Sequence, residues 1–234
     1  GHLTEVPAGA GDGSIKRDGK RRRDDADLLG DPAAAVSSKV VRVAWDTETT
    51  GLPGTRKNAS WETLYAFDTC RLLSVALVAY NSQDDIVDEY TAIVRPEGFG
   101  VGPTHIHGIT LEEAMAKGRP FAEVHRAMQG FASEAGRGAV FVAHNARFDE
   151  NVMRSEFLRR GVTPTEPFPD NDKRCSLEYA RCLFGRNTRS FRLGDLHMDL
   201  VGRPLADAHQ ALGDARGCGA VYRVLVAEDR ARRA

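Results

Sequence analysis

The chain has little that would mark a secreted, membrane-spanning or fibrous protein. It holds only four cysteines in 234 residues (Cys70, Cys175, Cys182 and Cys218), and no two are spaced as Cys-x-x-Cys. That spacing argues against a disulfide or zinc framework and for free thiols in a reducing, intracellular compartment, cytoplasmic or nuclear. No run of roughly 18 apolar residues occurs, so no membrane-spanning helix is expected. The start, Gly1-His2-Leu3-Thr4, lacks an apolar core, so no secretory signal is expected either. Excess charge of one sign is missing too. Thirty-two basic residues meet 33 acidic ones, for a net charge of -1. Bulk charge therefore announces no nucleic-acid partner, although a basic rim around an acidic centre gives the same total.

What remains is ordinary globular composition, 41% hydrophobic and 28% charged, enough for one compact domain. Residues 1–38 stand apart. They carry Gly-Ala-Gly-Asp-Gly-Ser and then a charge block, with no aromatic residue, and read as a disordered N-terminal tail. The cluster Lys20 to Arg23 reads as a nuclear address or a nucleic-acid arm. It reads equally as a solvated tail neutralised by Asp24, Asp25 and Asp27.

The domain is expected over 39–234. Val40 to Trp45 is a short apolar run typical of a buried central strand. Arg71 to Tyr80 and Ile86 to Val94 predict two more strands, antiparallel because only a short polar turn joins them. A short helix from Leu111 ends at Gly118, and Phe121, Val124, Met128 and Phe131 recur at helical spacing. Ala139 to Ala143 predicts a fourth strand, and a helix follows Asn145, ending at Gly161. Lys173 to Cys175 predicts a short fifth strand. Helices are expected over 176–184, 193–201 and after Asp207. Alternating strands and helices imply an α/β fold with a mixed sheet.

Three acidic motifs carry chemistry. Asp46-Thr47-Glu48-Thr49-Thr50-Gly51 sits where the first apolar run stops. Carboxylates two residues apart on a strand point the same way. Such charges repel unless a cation or a shared proton relieves them. An all-oxygen set favours Mg²⁺ or Mn²⁺. Two solvated acids at a strand end are the alternative. His144-Asn145-Ala146-Arg147-Phe148-Asp149 opens a helix, with Asn145 in an N-cap role and Asp149 in the early turns. His209-Gln210-Ala211-Leu212-Gly213-Asp214 is the third. Asp207 and Gln210 have capping-box spacing, which starts a helix there and buries Asp214 within it. A metal or a salt bridge to Arg216 would satisfy that acid.

Together, Asp46, Glu48, Asp149, Asp214 and His209 resemble the DEDDh family of 3′–5′ exonucleases. The resemblance covers nearly all of 40–226. The stretch from Arg95 to Phe157 is most similar to proofreading exonuclease subunits of bacterial replicative polymerases. The resemblance implies an RNase H-like, five-stranded mixed sheet with its second strand antiparallel. It implies two divalent ions, Mg²⁺ or Mn²⁺, held by Asp46, Glu48, Asp149 and Asp214, which clamp the attacking and leaving oxygens. His209 is then the general base. The product would be a nucleoside 5′-monophosphate. Thr49 and Leu52 would flank the terminal nucleotide, and His107 and Asn145 would contact it or order the site. Phe148 would wedge against the bases, core packing being its alternative. Lys173, Arg174, Arg181, Arg186, Arg189 and Arg192 face one acid, Glu178, over 173–192, and some of them would track phosphates. Many relatives carry Asp-Thr where Cys175-Ser176 stands. The segment 53–69, with Trp61, Tyr65 and Phe67, is longer than usual and would cover the site, extend the groove or pack as a surface excursion. The implied partner is a single-stranded 3′ end of DNA, with a polymerase as a further candidate. An exoribonuclease, or a silent module that recruits a polymerase, is the competing reading.

Overall fold

A computed structural model of the chain describes residues 39–54, 59–163, 166–185 and 190–234. The stretch 1–38, expected to be a tail, lies outside the described residues. Five strands form one sheet: β1 (Arg42–Thr49), β2 (Leu72–Tyr80), β3 (Ile86–Ile93), β4 (Val140–Ala143) and β5 (Asp172–Cys175). Their order is β3-β2-β1-β4-β5. The β1–β2 and β2–β3 pairs are antiparallel, and β1–β4 and β4–β5 are parallel. This is the α/β architecture expected from the sequence, with the run from Val40 as the central strand. The strand extends through Thr49, so both acids lie within it rather than past its end.

Between β3 and β4 the chain forms a single helical turn α1 (Thr104–His107), then α2 (Leu111–Lys117) and α3 (Phe121–Ala135). The helix α4 (Ala146–Arg159) follows β4. Last come α5 (Ser176–Phe184), α6 (Leu193–Val201) and α7 (Ala211–Arg233). Side chains alternate across β1 as the strand's two-residue period demands. Val43 and Trp45 join one core, with Phe121, Met128, Val152, Met153 and Phe157 from α3 and α4. Ala44 joins the other, with Ala211, Ala215 and Cys218 from α7. Small residues on both sides of that second seam let α7 lie close to the sheet. Asp46 and Glu48 share the parity of Ala44, so they emerge beside α7.

The end of α4 follows the sequence expectation. Gly161 adopts φ +64, its N–H is donated to Leu158 O, and the N–H of Val162 is donated to Phe157 O at 2.9 Å. That pair of bonds satisfies carbonyls the helix leaves open, and only a residue free of Cβ strain takes the left-handed position at no cost. The start of α7 differs. The helix begins at Ala211 with Gln210 in the cap position and no side-chain cap. Asp207 and His209 have positive φ, 52° and 64°, so the residues read as a capping box form a turn instead. Gly213 permits this turn: a Cβ there would stand 2.2 Å from Asp207 O.

The described part of the 53–69 excursion packs as a surface segment against α4. Leu64–Phe67 is one 3-10 turn, Phe67 is buried, and the Arg154 guanidinium lies 4.2 Å from the Trp61 ring centroid. A buried ion pair ties the same region to the sheet. Glu156 in α4 is 1% exposed and accepts from Arg71 Nε at 2.5 Å and Arg71 Nη2 at 3.0 Å. Replacing Glu156 with alanine strands a buried guanidinium, and we expect a loss of about 3–5 kcal/mol in denaturant unfolding. A loss below about 1 kcal/mol would show that water reaches Arg71.

Candidate active site

Asp46, Glu48 and Asp214 come from strand β1 and helix α7, 166 residues apart at the ends of the span. Each offers a carboxylate oxygen, and these oxygens all lie within 4.8 Å of one another. Asp149 stands beside this trio rather than in it. It is 2% exposed, and its Oδ1 accepts from the Thr47 N–H at 3.1 Å and from Thr47 Oγ1 at 2.7 Å. The topology explains the contact. β1 pairs with β4 only over Arg42–Ala44, so Thr47 lies past that ladder. Its N–H meets the carboxylate at the start of α4 instead of another strand. Thr47 points to the α4 face while its neighbours Asp46 and Glu48 point to the α7 face, and the site is assembled around the end of one strand.

No ion pair of the described residues includes any of the four acids. The salt bridge considered for Asp214 does not form, because Arg216 binds Glu89, with Nη2 2.5 Å from Oε2. The electrostatic consequence is uniform. Burial, then the charges of Asp149, Asp214 and Glu48, hold the Asp46 carboxyl well above its ordinary range. Burial, then Asp214 and Asp149, push Glu48 to about 8. Burial pushes Asp149 to about 7 even though the Thr47 bonds oppose it. Burial also raises Asp214, against the hydrogen bond from the His209 N–H. Mutual repulsion among converging acids without cationic partners is the state a divalent ion relieves. The donor set is all oxygen, which suits a hard cation. The residues present therefore fit the implied metal.

His209 sits exposed at the rim in the left-handed turn, and its N–H is donated to Asp214 Oδ2 at 3.2 Å. The same carboxylate that belongs to the acidic trio thus anchors the histidine peptide.

The remaining residues divide. Leu52 is 76% exposed, three residues past the end of β1. Thr49 Oγ1 is donated to Gly51 O at 2.8 Å and shapes that turn. Phe148 is half-buried and packs on the main core, which matches its packing alternative. Asn145 occupies the N-cap position at φ 63°, but its side chain makes no cap bond. The capping role is corrected, since the left-handed backbone turns the side chain away from the helix N–H groups. His107 is buried, and backbone holds both ring nitrogens. Nδ1 accepts from the Ile109 N–H at 3.1 Å, so Nε2 carries the proton donated to Val101 O at 3.0 Å. Its role is to order the cleft wall, and burial lowers its pKa. Of the basic group, Lys173 pairs with Glu166, Arg174 with Asp172, and Arg181 with Glu178. Arg192 is exposed, and Arg186 and Arg189 lie outside the described residues.

Sequence reasoning gave no role to two positions. Thr47 was hidden because it lies between the acids but faces the other way, which period two alone could have shown. His144 bonds Ser176 Oγ at 2.9 Å and Phe191 O at 3.0 Å, tying the start of α4 to α5 and α6. Burial holds its imidazole down at about 4, so it stays neutral.

A profile of the RNase_T exonuclease family matches residues 43–222. The chain is 30% identical over 194 residues to the PolC-type DNA polymerase III of Lactococcus lactis, covering 81% of this chain and 10% of that protein. It is 27% identical over 202 residues to the DNA polymerase III epsilon subunit of Treponema pallidum, covering 86% and 83%. The chain thus spans only a tenth of the first of these relatives. The fold is similar to that of Escherichia coli exonuclease I in complex with a dT13 oligonucleotide. That match has a TM-score of 0.60 and 21% identity, over 82% of this chain and 41% of the other. The family match over most of the domain, on a sheet that draws these acids to one strand end, places the chain in the RNase_T exonuclease family as a DEDDh-type 3′–5′ exonuclease domain.

Proposed function

We propose that this domain is a metal-dependent 3′–5′ exonuclease acting on DNA ends and releasing nucleoside 5′-monophosphates. The observation that carries the reading is the convergence of Asp46, Glu48 and Asp214, with Asp149 beside them and no Lys or Arg of the described residues paired with any of the four. Asp46, Glu48 and Asp214 would hold the divalent ions, Mg²⁺ or Mn²⁺, with the unengaged oxygen of Asp149 completing the set. Bound ions of this kind, paired in the two-ion form of the chemistry, acidify water and stabilise charge on the leaving oxygen.

The protein's own groups supply the rest. Thr47 fixes the Asp149 carboxylate through two hydrogen bonds, so one acid is held in place before substrate arrives. His209 is anchored through its peptide to Asp214 and would take the proton of the attacking water. Thr49 and the exposed Leu52 would flank the terminal nucleotide, and the exposed Asn145 would stand between it and the rest of the strand. DNA is favoured as substrate because the relatives are DNA polymerase subunits or chains and the structural neighbour holds oligothymidylate. The likeness to DNA polymerase III chains supports work alongside a polymerase, in proofreading or end trimming.

Digestion of 5′-labelled DNA and RNA strands, with and without chelator, tests the reading. Stepwise shortening of DNA from the 3′ end, lost in chelator, is expected. Faster trimming of matched RNA would overturn the DNA assignment, and chelator-resistant cleavage would overturn the metal. His209→Ala is expected to slow turnover by ~10²–10⁴-fold, with the metal-induced thermal shift kept. Loss of that shift would mean that the histidine supports the metal site and is no base.

A further inference from the structure

Two grooves adjoin the acidic cluster, and their charges differ. The first, of about 530 Å³, begins at Glu48 and is floored by Ser74 and Ile93, which lie in register with it across β2 and β3. Its walls hold Glu113, Lys117 and Arg119, so two acids balance two cations, and Lys117 is already bonded to Glu113 at 2.9 Å. The second, of about 550 Å³, is shallower. It starts at Asn145, one helical turn from Asp149, and runs between Leu177, Arg181, Phe191 and Arg192. No acidic residue lines it among the described residues. Among the described residues Arg192 makes no ion pair, and Arg181 shares a part-exposed pair with Glu178. Such a part-exposed pair is weak and exchanges readily for a phosphate.

A strand being shortened from one end presents two different objects to the site. The terminal nucleoside is a single unit whose base and sugar are uncharged. The rest is a polyanion that needs an open track and cations. We infer that the strand upstream of the cleaved bond lies in the groove between the start of α4 and the α5–α6 segment, with Arg181 and Arg192 on its phosphates, while the terminal nucleoside takes the charge-balanced cleft beyond Glu48. This inference rests on the exonuclease reading and adds a polarity to it. It also selects among the basic residues of 173–192. Lys173 and Arg174 are engaged on β5 by Glu166 and Asp172, whereas Arg181 and Arg192 face the groove. His144 floors that groove and links its two walls through Ser176 and Phe191, which keeps the track aligned with Asp149.

The test compares a dinucleotide with a single DNA strand of about 10 nucleotides, long enough to fill such a groove. For Arg192→Ala and for Arg181→Ala, the ratio of kcat/KM on the long strand to that on the dinucleotide should fall about tenfold, as a lost charge-assisted bond implies. The fall should reside in KM. The slope of log KM against log salt should decrease by about 1 for each cation removed. Arg192→Lys and Arg181→Lys, which keep the charge, should retain most of the long-strand preference. An unchanged ratio in both alanine variants overturns the inference, as does the same fall in Lys117→Ala and Arg119→Ala instead. The full chain carrying Asp46→Ala supplies an independent reading through binding of a labelled strand. There, unchanged affinity on removal of Arg181 and Arg192 overturns the groove assignment. A wild-type chain that binds the strand through these arginines but releases no mononucleotide would leave the groove standing and sink the exonuclease reading.

Discussion

Asp46→Ala is expected to abolish cleavage, lowering kcat by at least about 10³-fold, with the fold intact. Asp46 is the acid on which the others converge, since the charges of Asp149, Asp214 and Glu48 all act on it. Removing it leaves Glu48 and Asp214 without the oxygen that completes their cluster. The same substitution removes one of four mutually repelling charges from a buried site. In chelator near pH 8 the variant should therefore melt at or above the wild-type temperature, an activity site being assembled at some cost to stability. Wild-type-like turnover would refute the metal assignment. A variant that melts well below the wild type would show that Asp46 supports the fold.

The second large effect is on stability against pH. Glu48 and Asp149 hold their protons up to about 8 and about 7 in the fold, against ordinary values of 4.5 and 3.8. Asp46 and Asp214 are shifted in the same direction. A carboxyl whose folded pKa is raised binds more protons folded than unfolded. Its stabilising contribution is complete below the unfolded pKa and disappears as pH rises through the folded one. Metal-free protein should therefore lose stability between about pH 4 and pH 8. A divalent ion should reverse this, and increasingly so at higher pH, because protons no longer compete for the carboxylates. With free Mg²⁺ or Mn²⁺ at about 100 times Kd, the gain is about 2.7 kcal/mol, or roughly 5–10 °C in Tm. Thermal melts across that range, with chelator and with metal, measure it. A chelated protein whose Tm is flat or rising over the window would mean that the acids are relieved by something other than an ion.

Sequence and structure agree best where the signal was local. Four of the five strands were marked by a short apolar or β-rich run, β5 being the polar Asp172–Cys175, and Ser176–Phe184 and Leu193–Val201 appear with the expected bounds. Disagreement arose where one side chain could serve two masters. Asn145 has the chemistry of an N-cap, yet its left-handed backbone withholds the side chain from the helix. Asp207 and Gln210 have capping-box spacing, yet close packing of 206–207 on Gly213 turns the chain and delays α7 to Ala211. His107 was expected to contact the nucleotide or to order the site, and backbone groups hold both its ring nitrogens, in keeping with the second.

The acids themselves were legible because a two-residue period and a helix start are written in neighbouring residues, and because the motifs resemble those of one family. That much the chain's order of residues decides alone, since it depends on contacts within a few positions. The partners of those acids were not legible. That Arg216 is taken by Glu89, that Thr47 holds Asp149, and that one adjoining groove is charge-balanced while the other is basic are facts about residues 100 or more positions apart in several cases. Only the assembled sheet, with α7 laid on one face and α4 on the other, brings them within bonding distance. The physical reason is that charge interactions depend on separation and burial in space, and neither is a function of position along the chain.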